Sequence, residues 1–191
     1  MQKQLFRLRS TIARPADVTA YAAGDEISNS ATAGSVVRAV FNLAGFSRGR
    51  IRYAEIDLAA ASGNVVTTAS DFDLLIFRTG EVPAAVGDNV THPITAVDRA
   101  KAVCGFRFDD TGWTGPLGTV AAGTSQFQAV TPTLVQPLAA NVPHYPWPDG
   151  YLFGLGDQTV KTFTVVLRAL AAWTPGAVVN TFGITLDIEA E

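Results

Sequence analysis

The sequence predicts an all-β protein, a jelly-roll or Greek-key β-sandwich with long loops and at most one short helix. Three observations lead there. Apolar and polar residues alternate with a period of two in several long runs, which places successive side chains on opposite faces of a pleated strand. Gly and Pro, 17 and 10 of them, separate these runs as turns. Eleven Phe and long Val and Thr runs suit half-buried pleated surfaces. A parallel α/β sheet is excluded, because its crossovers need helices that the spacing does not supply.

Residues 4–11 put Leu5, Arg7, Arg9 and Thr11 on one face and Phe6, Leu8 and Ser10 on the other, the pattern of an edge strand. The run ARPAD at 13–17 ends it, since proline cannot donate to a ladder, and YAAGD at 21–25 turns with its glycine at the bend. A short strand follows over 26–28. Residues 35–43 and 49–60 alternate over long stretches and are expected to pair as a hairpin through 44–48. In the second run Ile51, Tyr53, Glu55 and Asp57 oppose Arg52, Ala54, Ile56 and Leu58. DFDLLIFR at 71–78 is apolar on both faces and reads as a covered central strand.

Residues 93–101 form the one helical segment, with Ile94, Val97 and Lys101 at helical spacing. Strands resume over 102–108, 126–135, 151–155, 160–173 and 180–189. In the last, Phe182, Ile184, Leu186 and Ile188 alternate with Gly183, Thr185, Asp187 and Glu189. Phe77 and Phe163 are assigned to the sandwich core. Residues 109–125 and 136–150, rich in Gly, Pro and Asn, read as long ordered loops at one end. The chain divides into a basic amino-terminal arm or edge strand, 1–14, and a single sandwich domain, 15–191.

Composition then narrows function. A chain of 20.1 kDa buries a sizeable core without staples, and its one cysteine, Cys104, excludes an intrachain disulfide and any Cys-rich metal site. The opening MQKQLFRLRS has charges where a signal peptide is apolar, and no apolar run of about 18 residues occurs, so no membrane partner is expected. The net charge of −3 argues against direct nucleic-acid binding. Its distribution is uneven: residues 1–52 hold eight Lys or Arg against three Asp or Glu (+5), leaving six against fourteen (−8).

No catalytic constellation emerges. His92 and His144 lack a nucleophile-elbow motif and read as loop histidines with ordinary hydrogen bonds, and Cys104 as a small core residue. Asp71 with Asp73, and Asp187 with Glu189, project from one strand face about 7 Å apart, a spacing open to glycosidic acid/base work, yet they read as solvated strand faces. Asp109 and Asp110 begin an Asp-Gly turn without the closing glutamate of a calcium loop. Phosphate-cradling, zinc and dinucleotide spacings are missing as well. The expectation is a protein with no catalytic, cofactor-binding or metal-binding residues.

Two regions read as partner surfaces. Tyr145 and Trp147, in the loop HYPWPD at 144–149, either fold back as a lid on the core or bind a neighbouring subunit or a sugar ring; Trp113 carries the same alternatives. Lys3, Arg7, Arg9 and Arg14 form either an arm gripping an acidic surface or a solvated edge strand whose charges discourage aggregation.

A family resemblance rests on RPADVTAYAAGD at 14–25, on 49–58, on 74–77 and on the Asp88–Asn89 pair. That order of segments resembles small virion structural proteins of tailed bacteriophages, of the capsid decoration or cement type, in which Y-x-x-G-D precedes strand-rich sequence and a D-N loop. It runs from about residue 4 to the final strand. The resemblance implies a homo-oligomer on the outer capsid surface, assembled in the host cytoplasm, reinforcing contacts between capsomers with the major capsid protein as partner. The alternative is a tail or fibre component, or a carbohydrate-binding receptor module. The apolar-rich composition and long strands predict a homo-oligomer, a trimer ahead of a dimer. Light scattering checks it, and a monomer at high concentration in the presence of capsids refutes it.

Overall fold

The structure, a computed structural model, describes residues 4–43, 49–60, 65–66, 71–109, 118–119, 125–130, 151–153, 162–175 and 180–190. Strands form where the alternation lies: β1 (Gln4–Ala13), β2 (Glu26–Ile27), β3 (Val40–Asn42), β4 (Gly49–Ala60), β5 (Val65–Val66) and β6 (Phe72–Arg78). A helix α1 (Ala96–Lys101) leads into β7 (Ala102–Phe108), followed by β8 (Gly118–Thr119), β9 (Ser125–Val130), β10 (Tyr151–Phe153), β11 (Thr162–Ala169) and β12 (Asn180–Ala190). The helix starts later than the spacing suggests, because Thr95 caps it: Thr95 Oγ1 accepts from the Asp98 amide and the Asp98 carboxylate accepts from the Thr95 amide.

These strands build two antiparallel sheets. Sheet I runs β1-β12-β4, and the far edge of β4 is shared by β10 against Gly49, Arg50 and Ile51 and by β9 against residues 54–59. Sheet II runs β2-β11-β6-β7, with β3 beside β2 along the same edge of β11. Of the described pairings only β6 with β7 joins strands consecutive in sequence. This is a β-sandwich, as the sequence predicts. The expected hairpin between 35–43 and 49–60 does not form: β3 joins β11 in sheet II and β4 joins β12 in sheet I, so the chain crosses the sandwich between them. Residues 44–48 lie outside the described residues.

One buried cluster fills the space between the sheets. Ile184, Leu186, Ile56 and Leu58 come from sheet I; Leu74, Ile76, Phe106, Val165 and Leu167 come from sheet II. The alternation read in the last strand holds, with Phe182, Ile184, Leu186 and Ile188 all inward. In β4 it fails at one point. The register against β12 slips between Asp187 and Ile188, so Arg52 is an extra residue, and this β-bulge turns Ile51 to the same inward face as Ala54, Ile56 and Leu58. Tyr53 stays outward and half exposed.

Strand β6 is covered on both faces, as its apolar run requires. Phe72, Leu74 and Ile76 enter the main core, while Leu75 and Phe77 join Val166 in a second cluster on the outer face of sheet II, under Val82, Ile94 and Ala102. Phe163 therefore belongs to the core between the sheets and Phe77 to the smaller outer cluster, a correction to their common assignment. Both side chains are fully buried, so Phe163→Ala and Phe77→Ala should each cost about 3–5 kcal/mol. Chemical denaturation checks this, and an unchanged midpoint for either would show that its burial does not contribute as described.

Candidate functional site

The outer face of sheet I is an ionic lattice centred on the edge strand β1. Its inward side chains, Phe6, Leu8, Ser10 and Ile12, lie opposite Ile188, Leu186, Ile184 and Phe182, which turns Arg7 and Arg9 outward over the sheet. Arg7 Nε and Nη2 donate to the two oxygens of Asp187 at 2.8 and 3.1 Å, a bidentate pair, and Nη2 lies 3.8 Å from Glu55. Arg9 reaches past its neighbour to Asp57 on β4, with its two terminal nitrogens 2.9 and 2.8 Å from that carboxylate. The strand between contributes Gly183 opposite both Thr11 and Asp57. A Cβ there would stand 2.2 Å from Asp57 Oδ2 and 2.3 Å from Arg9 Nη2, so only glycine leaves room for the bridge. Arg52, at the bulge, binds Glu189 at 3.1 Å.

A second polar centre lies at the end of β1. Pro15 stops the strand, and Arg14 folds inward rather than out. Its Nε donates to Tyr21 Oη at 3.0 Å, its Nη2 donates to the backbone oxygen and Oδ1 of Asp17, and its guanidinium lies over the Trp173 ring. Tyr21 Oη lies 2.7 Å from both oxygens of Asp88 and donates to that carboxylate, which also accepts from the Ser28 amide at 2.8 Å. Burial, and then the Asp88 charge, raise the Tyr21 hydroxyl far above its ordinary value and keep it a donor. Tyr21 and Trp173 exchange backbone hydrogen bonds, and the Trp173 ring meets Phe72 and Phe182 edge-on, joining this centre to the main core.

Several residues of the segments 14–25 and 87–89 have local tasks. Asp17 accepts from the Thr19 amide in a short turn. Gly24 takes φ +95° in the turn that Asp25 closes on the Ala22 amide. Gly87 takes φ +108°, with its Cα position so close to Ala31 that a Cβ would stand 2.6 Å from that carbonyl oxygen. Asn89 adopts φ 56°, tolerated by its side chain, and in the orientation its surroundings require its amide donates to Ala20 O and Asp25 Oδ2 at 3.1 Å.

Of the residues expected to bind partners, Arg7 and Arg9 are exposed by 60% and 54% and lie side by side on β1, already engaged with carboxylates of their own chain. Arg14 is not part of an arm. Its side chain is fully buried, with Nε and Nη2 engaged by the contacts above, so it presents no surface to a partner. Lys3, Trp113, Tyr145 and Trp147 lie outside the described residues, as do His144 and the loop 136–150. His92 is buried, with Nδ1 2.7 Å from Glu26 Oε2, a closer environment than an ordinary loop histidine. Burial raises the Cys104 thiol well above its usual range, leaving it inert. The carboxylate pairs are not simply solvated: Asp71 binds Arg107, Asp73 binds Arg168, and Asp187 and Glu189 bind Arg7 and Arg52. Among the described residues no three His, Cys, Asp or Glu gather where they could hold a metal. Sequence reasoning missed the Glu26, Arg38 and His92 cluster; no local signal marks it, because its members come from three separate segments.

No family model matches the sequence, and no curated protein matches it. Among solved structures, a chain of Desmodium yellow mottle tymovirus overlaps at a TM-score of 0.24 and 9% identity, covering 100% of this chain and 88% of that one. Cocksfoot mottle virus gives 0.25 and 12%, covering 98% and 95%, and the semi-empty VLP of Macrobrachium rosenbergii nodavirus gives 0.24 and 12%, covering 99% and 94%. At this level of superposition the likeness fixes neither fold nor function.

Gly183→Ala should destabilise the protein by about 1–3 kcal/mol through overpacking, although alanine suits a strand better than glycine does. Adding Arg9→Ala to Gly183→Ala should recover part of that loss if the clash acts through the Arg9–Asp57 bridge. A double-mutant cycle by urea unfolding measures this, and strict additivity refutes it.

Proposed function

We propose that this chain is a non-enzymatic structural protein of a virus particle, of the tailed-phage decoration or cement type. In this reading it covers the outer capsid surface as a homo-oligomer, a trimer ahead of a dimer, against the major capsid protein. One observation supports it above others. Two of the four segments that carry the resemblance, 14–25 and Asp88–Asn89, are separated in sequence but meet through contacts of Arg14, Asp17, Tyr21, Asp25, Asp88 and Asn89. Motifs that work together as one structural unit are a stronger link to a family than short matches scattered over a surface.

The contact surface in this reading is strand β1, on the edge of sheet I, with Arg7 and Arg9 exposed over acidic neighbours. Trp113, Tyr145, Trp147 and Lys3 remain proposed contacts on sequence grounds alone. Deleting residues 1–14 is a poor test of the arm, since it removes the buried side chains of Ile12 and Arg14 and all ten positions paired with β12.

The test is binding to purified phage heads lacking the protein. Stoichiometric binding without retention on glycan matrices is expected, and Arg7→Gln with Arg9→Gln should weaken it more at low than at high salt, because screening suppresses exposed pairs. Retention on glycans or host cells with no head binding would replace this reading with that of a tail, fibre or receptor module.

A further inference from the structure

Residues 79–101 lie over the outer face of sheet II, where Val82 and Ile94, beside Ala102 of β7, close on Leu75, Phe77 and Val166. That cluster is small, and the strands beneath it have their own larger core on the other side. Hydrophobic contact alone therefore holds this covering segment far less firmly than it holds the sandwich.

Backbone hydrogen bonds join Asp88, Asn89, Val90 and His92 to Ser30, Glu26 and Gly24, and among the side chains one carboxylate gathers the most contacts to the segment. Glu26, buried at the start of β2, accepts from His92 Nδ1 at 2.7 Å, from the Val86 amide at 3.3 Å and from Arg38 Nε and Nη2 at 2.9 and 3.0 Å. Arg38 Nη1 in turn donates to the Pro83 carbonyl. One ion pair thus grips the covering segment at residues 83, 86 and 92. The charged neighbours continue across sheet II: Glu26, Arg168, Asp73 and Arg107 occupy adjacent positions on β2, β11, β6 and β7. Arg168 donates to Asp73 at 2.6 Å and to the His92 carbonyl at 3.4 Å. Asp25 holds Thr91, Asp88 holds Tyr21 and Ser28, and Asp98 caps α1.

We infer that residues 79–101 are a latched lid over the outer face of sheet II, with the Glu26–Arg38–His92 cluster as the latch, and that acid opens the lid while the sandwich stays closed. Neutralising Glu26 leaves Arg38 buried without its counter-charge, a costly state that opening relieves. The two buried carboxylates respond to acid in opposite senses. Burial by itself would raise the Glu26 carboxyl, but hydrogen bonds from His92 and Arg38 outweigh it and hold the group below its ordinary value. Its contribution to closure is therefore full above the ordinary carboxylate range and is lost as pH falls through the lowered value. Burial raises Asp88 above the ordinary range despite its bonds to Ser28 and Tyr21, so the closed state takes up that proton more readily and acid does not loosen the lid there.

Hydrogen exchange on the full chain at neutral pH distinguishes the two. In Glu26→Gln, the non-proline amides of residues 84–95 should exchange on the order of tenfold faster or more, while β4, β6, β11 and β12 keep wild-type protection. Asp88→Asn, which removes the counter-charge of buried Arg14, should also loosen the end of β1 and the Tyr21–Trp173 pairing, a wider pattern than Glu26→Gln gives. The wild-type protein should open the lid and bind a hydrophobic dye below the carboxylate range before the near-ultraviolet signal of its packed aromatics is lost. If Glu26→Gln does not fold, that acid titration alone decides. The same exchange pattern in both variants, or loss of protection in β6 and β11 together with the lid, overturns the inference.

Discussion

The hydroxyl of Tyr21, held between the Arg14 guanidinium and the Asp88 carboxylate, joins parts of the chain that are far apart in sequence. Arg14 continues the β1–β12 pairing through its amide to Asn180 O, so it belongs to sheet I. Asp88 binds the backbone beside β2, and Tyr21 pairs with Trp173 just beyond β11, so both belong to sheet II. A buried guanidinium without these acceptors would be left uncompensated, a loss of about 3–5 kcal/mol for a pair of this kind. The set ties the end of β1 to Tyr21 and to residues 87–89, and the positive φ of Gly24 and Gly87 brings its members within reach.

Where the sequence is periodic, the fold can be read from it. The alternation of 180–189 and the two-sided apolar run of 71–78 both appear as inward rows of side chains, because a buried face tolerates no slip of register. What could not be read has physical causes. The pairing of 35–43 with 49–60 was plausible from proximity, but strand neighbours in a sandwich are chosen by which edges remain open, and β4 offers both edges to distant strands. The phase change at Arg52 arises from an inserted residue that no pattern of side chains announces. At the candidate site, Arg7 and Arg9 were legible as a charged face, whereas Arg14 falls on the opposite, inward face of the same alternation, with Phe6, Leu8, Ser10 and Ile12.

The charge imbalance along the sequence also acquires a structural meaning. A basic beginning and an acidic body suggest a search for an outside partner, yet Gln4 pairs with Ala190, so the first strand lies directly against the last. Much of the basic charge is met by Glu55, Asp57 and Asp187 of the same chain. Self-complementarity and partner binding draw on the same side chains, and the exposed portion of Arg7 and Arg9 is what a second molecule would compete for.

Gly183 has a mechanical consequence. Because the central strand leaves a gap there, β1 is fastened through Arg9 to a strand two positions away as well as through Arg7 and the backbone to its immediate neighbour. A pull on the amino terminus would load β12 by peeling one ladder, but it would also transmit tension to β4 across the middle of the sheet. The edge strand is thereby riveted through its neighbour, and detaching it requires a rupture at two depths instead of a simple unzipping.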